Sequence, residues 1–281
     1  MSPFRHFVSA CSLIYGVMNP TFWCVPLFVL TLIRLAAPST RPALKGATDA
    51  IYRAAVRLND LWFRHVLGYR WQHGIEDLDP DATYLVIANH QSWADSFIIQ
   101  SAIVQHGPVL KVLVKEELMR FPILAMIFWA YDFPRLKRRA RSTEDEPERR
   151  RQDAERIRDA SRQLLESPGA ILVYPEGTRF TEEKHAAQGS GFQHLLKPRP
   201  GGFATMVGTL RNEGRAVIDL SIRYPESSRF WRFLSGAMDE PAMRVDIHPI
   251  SEIGDDPSAW LEQRWQAKEE WLAERSAPPA G

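Results

Sequence analysis

The 281-residue chain carries 35 Lys and Arg against 34 Asp and Glu, a formal net charge of +1, so no global field draws it to nucleic acid. Hydrophobic residues make up 45% of it, enough for a sizeable core in one large domain or one domain with an appendage, and this excludes a disordered chain. Cys11 and Cys24 are the only cysteines, both in apolar surroundings; they supply no disulfide framework and no zinc ligand set, and a reducing compartment is the simpler reading.

Residues 7 to 37 are apolar with few interruptions: Phe7 to Met18, a break at Asn19-Pro20, then Thr21 to Ala37. A secretory signal needs a small-residue cleavage site after one short apolar stretch, whereas here there are two stretches with the bulky Phe22-Trp23 in the middle. Neither run alone reaches the ~20 residues of a spanning helix. Arg5 lies before the runs and Arg34, Arg41 and Lys45 lie near or after their end, which favours both ends on the cytoplasmic side. The expectation is a membrane-associated helical hairpin dipping into one leaflet, with a single proline-kinked span as the alternative and two core helices of a soluble fold as the plainer reading. Residues 1–40 are therefore read as a membrane anchor and residues 41–281 as an α/β domain.

Ala43 to Leu67 has apolar residues at helical spacing and reads as an amphipathic helix. Gly68 to Asp79 reads as a short strand and a turn. Tyr84 to Ala88 is an unbroken apolar run, the mark of a buried strand, followed by a helix from Ser92 to Gln105 with Ser92 as its cap. Further strands are expected at Val109 to Val114, Tyr131 to Phe133, Ala170 to Tyr174, Val217 to Tyr224 and Met243 to Ile247. Helices are expected at Lys115 to Met119, Pro122 to Trp129, Pro147 to Ser167, Gly201 to Asn212 and Ala259 to Arg275. This alternation predicts an α/β fold with a mostly parallel or mixed central sheet flanked by helices.

The chemistry-bearing residues collect at strand ends, where open α/β sheets bind ligands. Asn89-His90-Gln-Ser-Trp-Ala-Asp95 follows the first core strand; His90 is the best candidate base in the chain and Asp95 is close enough to orient it. Backbone N–H groups at the start of the next helix are candidates to hold an oxyanion. Glu176-Gly177-Thr178-Arg179 follows another strand; Gly177 allows close backbone approach and the planar Arg179 fork suits a phosphate, with a Glu176–Arg179 ion pair as the plainer reading. Arg135-Leu-Lys137-Arg138-Arg139 is a basic run, which by itself is usually a solvated or membrane-facing patch. Ser92 as a nucleophile would imply a hydrolase, but no Gly-x-Ser-x-Gly elbow surrounds it. No histidine has a metal-ligand spacing, and no metal is expected.

The His90–Asp95 block resembles the His-x4-Asp signature of the glycerophospholipid acyltransferases, and Tyr174-Pro-Glu176-Gly177-Thr178-Arg179-Phe-Thr is similar to their Pro-Glu-Gly-Thr-Arg signature. Phe133, Leu136, Lys137 and Arg138 match the basic motif between the two, and Leu196-Lys-Pro-Arg-Pro200 the one that follows. The wording of the second block resembles the branch holding the lysocardiolipin acyltransferases and their bacterial relatives. The likeness covers residues 80 to 225 or so. It implies transfer of a fatty acyl chain from acyl-CoA or acyl carrier protein, as co-substrate, to a lysophospholipid hydroxyl, with 1-acyl-sn-glycerol-3-phosphate the leading acceptor and phosphatidic acid the product. It gives the catalytic role to His90 and Asp95, and substrate binding to Glu176, Gly177, Thr178 and Arg179 together with Lys137 and Arg138. A bacterial inner membrane, with the active site on the cytoplasmic side, is the implied location. A larger lysophospholipid acceptor, or a membrane-surface binding protein without turnover, is the competing expectation.

Overall fold

The computed structural model describes residues 1–70, 75, 78–105, 107–136, 146–225 and 230–274. The apolar N-terminal stretch is one helix, α1 (Pro3–Ala36), capped by the Ser2 hydroxyl, and it runs through Pro20 and Pro26. The break expected at Asn19-Pro20 is absent. Pro20 removes one backbone donor, but side-chain bonds brace that turn: Asn19 donates to the Ala55 carbonyl and to Asn59 at 2.8 Å each, and Thr21 donates to the Val17 carbonyl at 2.7 Å. The chain reverses at residues 38–40, and α2 (Arg41–His65) returns along α1. Tyr15 stacks on Trp62 and bonds the Leu58 carbonyl, while Trp62 bonds Ser12. A helical hairpin therefore exists, but α1 and α2 make it rather than the two halves of residues 7–37.

α1 is inverted relative to a helix of a soluble core. Its buried positions include Ser9, Ser12, Asn19 and Thr31, whereas Phe7, Ile14, Val17, Phe22, Val25 and Phe28 are exposed. Its 34 residues extend about 50 Å, and it is long and apolar enough to cross a membrane. Arg5 and Ser9 tie one end to the backbone of Ser235 and Trp231; Arg34 holds Asp132 with two hydrogen bonds at the other.

The remaining elements follow in order: β1 (Tyr84–Ala88), α3 (Ala94–Val104), β2 (Leu110–Val112), β3 (Val114–Lys115), α4 (Pro122–Ala130), β4 (Arg135–Leu136), α5 (Glu146–Glu166), β5 (Ala170–Val173), α6 (Glu182–Gln188), α7 (Pro200–Leu210), β6 (Ala216–Arg223), α8 (Phe230–Phe233), β7 (Ala242–Pro249) and α9 (Pro257–Glu274). The main sheet has the order β2-β5-β1-β6-β7, parallel except for the antiparallel β7. β1 is central, and its alternate side chains enter both cores. Tyr84, Val86 and Ala88 join the cluster under α2 and α3; Leu85 and Ile87 join the one built with α5, α7 and α9. Burial on both faces is why this strand reads as an unbroken apolar run.

Three strand expectations shift. Val109 to Val114 divides, because β2 pairs with β5 while β3 leaves the main sheet to pair with β4. Tyr131 to Phe133 is a turn closing α4, with Asp132 in the left-handed region at φ 49°, and the strand begins at Arg135. The strand expected within Gly68 to Asp79 lies partly outside the described residues; those that are described are not in a strand.

At the far end, α9 is fixed to β6 by charge. Lys268, fully buried, reaches Asp219 at 2.6 Å, the Leu220 carbonyl and Ser221; Arg264 bonds Asp219 at 2.8 Å and also pairs with Asp246.

Candidate active site

β1 and β5 run parallel with Ile87 beside Val173, so their carboxyl ends bring Asn89-His90 next to Tyr174-Pro175-Glu176. Asn89 fixes the neighbouring strand: its side chain donates to the Ile222 carbonyl and accepts from the Ile222 N–H, both at 2.8 Å. The loop from His90 to Trp93 then folds around Asp95 in the first turn of α3. One carboxylate oxygen, Oδ2, lies 2.9 Å from His90 Nδ1 and accepts the N–H groups of Gln91 and Ser92 at 2.8 and 2.9 Å. The other, Oδ1, accepts the Tyr224 hydroxyl at 2.6 Å. Asp95 is completely buried, while the His90 side chain is 17% exposed. The His90 ring stacks on Tyr174 with centroids 3.9 Å apart and planes 16° apart. With Nδ1 engaged by the carboxylate, Nε2 is left as the proton acceptor.

The loop's donors are spent within the protein. His90 N–H goes to Glu176, those of Gln91 and Ser92 to Asp95, and that of Ala94 to the Ser92 hydroxyl. The expectation that N–H groups at this helix start hold an oxyanion is therefore not met by these four. Ser92 is buried, and its hydroxyl also bonds Tyr224, which leaves it in a bracing role rather than that of an exposed nucleophile.

Glu176 is buried and does not pair with Arg179. Its two oxygens accept the backbone N–H groups of His90 at 3.0 Å and Leu196 at 3.3 Å. Burial pushes its carboxyl up to about 8, against the pull of those two N–H donors and of Lys268. The residue thus clamps the loop after β1 to the loop before α7, and the chain around it is closed further by Phe180 N–H to the His90 carbonyl (2.7 Å) and Arg199 N–H to the Pro175 carbonyl (2.8 Å). Gly177 adopts φ +71°, a backbone conformation that would strain any side chain, while the Arg199 side chain lies at ordinary contact distance, 3.6 Å from where a β-carbon would stand. Thr178 accepts from Lys184 at 2.7 Å.

Arg179 is exposed, and its guanidinium sits 4.7 Å from the centroid of the Trp93 ring, itself 58% exposed. The two sequence blocks thus meet at several points: Tyr174 stacked on His90, Glu176 and Phe180 bonded to the His90 backbone, and Arg179 over Trp93. Lys137 and Arg138 lie outside the described residues. Tyr174, Trp93 and Tyr224 were not singled out for these roles by sequence. The first two belong to the motif blocks; Tyr224 stands 129 residues from its partner.

The Acyltransferase family model matches residues 71–218, more than half of the chain. Over 210 residues the chain is 31% identical to the 1-acyl-sn-glycerol-3-phosphate acyltransferase delta of Bos taurus, covering 68% of this chain and 53% of that one. It is 30% identical over 203 residues to the gamma protein of Mus musculus, covering 66% and 51%. The chain therefore spans about half the length of the curated relatives it matches. Among solved structures, the crystal structure of the 1-acyl-sn-glycerophosphate (LPA) acyltransferase PlsC from Thermotoga maritima shares the fold, with a TM-score of 0.54 at 14% identity over 95% of this chain and 100% of that one. With His90, Asp95 and the whole Glu176–Arg179 block inside the matched span, the chain belongs to the Acyltransferase family.

Proposed function

We propose that this protein is an O-acyltransferase that moves a fatty acyl chain from a thioester donor, acyl-CoA or acyl carrier protein, to the free hydroxyl of 1-acyl-sn-glycerol-3-phosphate. The observation that carries the reading is the His90–Asp95 pair, a buried carboxylate fixing the tautomer of a partly exposed imidazole at the sheet's carboxyl edge. His90 Nε2 takes the acceptor hydroxyl's proton as that oxygen attacks the thioester carbonyl. The tetrahedral oxyanion collapses, the C–S bond breaks, and the departing thiolate takes the proton back from the imidazolium. No covalent enzyme intermediate is needed. Arg179 supplies the acceptor-phosphate contact, and the names of the family relatives support that acceptor.

The inverted face of α1 supports work at a membrane, where the acceptor resides. An aqueous helix would not leave Phe7, Ile14, Phe22 and Phe28 outward while burying Ser9, Ser12 and Asn19. The test is a panel of lysolipid acceptors, each with both donors and with product identified by mass. Phosphatidic acid from 1-acyl-glycerol-3-phosphate is expected. Product only from lysophosphatidylglycerol or lysocardiolipin would move the acceptor to a larger headgroup, and free fatty acid without any acceptor would make the protein a hydrolase.

A further inference from the structure

We infer that Tyr224 is a positioning residue for the His90–Asp95 pair, its phenol holding Asp95 Oδ1 so that Oδ2 faces the imidazole. This rests on the reading of His90 as the base.

Asp95 is enclosed by donors, and they are unequally divided. Oδ2 receives His90 Nδ1, Gln91 N–H and Ser92 N–H, all from the same loop. Oδ1 receives the Tyr224 hydroxyl at 2.6 Å, from a residue just beyond β6. Both residues are buried, so water cannot readily replace the phenol. Nor is the placement of Tyr224 incidental. Two residues earlier, the Ile222 backbone is held by both ends of the Asn89 amide, next to His90 in sequence, so β6 and the catalytic loop are registered to each other before the phenol makes its bond. Without that bond Oδ1 would be a buried charged oxygen with no described partner, and the carboxylate would lose the anchor from β6 that fixes its orientation towards the imidazole.

The titratable and charged groups around the pair come from several elements. Tyr174 stacks on His90 from the end of β5, Glu176 lies beneath the His90 backbone, and Lys268 of α9 sits behind Glu176. Of the titratable groups on these elements, it is Tyr224 whose hydroxyl hydrogen-bonds Asp95. Removing its O–H concentrates negative charge on the carboxylate, which then holds the imidazole's proton more tightly.

The test is Tyr224→Phe in the full-length protein in detergent, with acyl transfer measured across pH. A hydrogen bond to a charged group is worth about tenfold or more, so kcat should fall about 10-fold while both substrate KM values stay within about 2-fold. The acid limb of the kcat/KM profile should move to higher pH. Replacing Tyr224 by 3,5-difluorotyrosine keeps the ring and the hydroxyl but donates more strongly, so it should move the limb the other way, an effect no packing role produces. An unmoved limb in the fluorinated protein, or wild-type kcat in Tyr224→Phe, overturns the proposal. Full activity of His90→Ala would instead overturn the reading of His90 as the base.

Discussion

At the scale of single residues, the exposed partnership is Arg179 with Trp93. The guanidinium lies over the indole, 4.7 Å from its centroid, with no carboxylate partner among the described residues. An exposed contact of this kind is worth ~0.5–1 kcal/mol, enough to orient the fork without occupying its donors. Arg179→Lys keeps the charge and loses the two-pronged geometry. It should raise the acceptor KM by roughly 10- to 100-fold, the loss of one charge-assisted hydrogen bond, and leave the donor KM nearly unchanged. Saturation curves for each substrate, on protein first shown to be folded, decide it; an unchanged acceptor KM would remove Arg179 from the phosphate contact. The positions His90, Asp95, Glu176 and Arg179 were legible as a set because each follows an apolar strand. What Glu176 does was not. Its partners are two backbone N–H groups, 86 and 20 residues away, and a backbone donor leaves no mark in sequence. Tyr224 was hidden for a similar reason: a Tyr ending a buried strand reads as packing, and its hydroxyl's target lies 129 residues off.

At the scale of elements, Glu176 joins the end of β1, the turn after β5 and the entry to α7. Its folded carboxyl sits above the ordinary value, at about 8 against 4.5. The sign follows from linkage: the folded state binds this proton more tightly, so the contribution is fully present below about 4.5 and is lost as pH rises through 8. Glu176→Gln has no such proton to lose. The melting temperature of Glu176→Gln minus that of the wild type should therefore increase between pH 5 and 9, by an amount reflecting a few kcal/mol at most. A difference independent of pH would show that the carboxyl stays in one state throughout. The elements themselves were mostly legible, since β1 and β5 are continuous apolar runs, β6 alternates Ile218, Leu220 and Ile222 with Asp219, Ser221 and Arg223, and α2 and α5 have helical spacing. The exceptions were set by contacts no local pattern reveals. Pro20 and Asn19 read as a break, yet Asn19 is the residue that pins α1 to α2. Lys268 lies within the helix expected from Ala259 to Arg275, where nothing local marks it for burial, yet it is fully buried against Asp219.

At the scale of the molecule, charge is balanced and the asymmetry is apolar. α1 touches α2, α4 and α8, and Phe121, Ile123 and Leu124 at the start of α4 and Trp231 in α8 are exposed as well. Replacing outward Phe7, Ile14 and Phe28 by Gln removes apolar surface from that face without touching the Asn19, Ser12 or Arg34 contacts. Flotation with lipid vesicles should show binding reduced by 10-fold or more, at ~25 cal/mol per Å² of apolar area withdrawn from the bilayer. Unchanged flotation would place the membrane contact elsewhere.

The claim on which the rest depends is that His90 is the base that activates the acceptor hydroxyl, and it is tested most directly by acyl transfer in His90→Ala. The substitution leaves the His90 backbone bonds to Glu176 and Phe180 available, so the site's scaffold is retained. The account predicts a fall in kcat of at least about 10²-fold with little change in either KM. Activity within a few-fold of wild type, in folded protein, would contradict it.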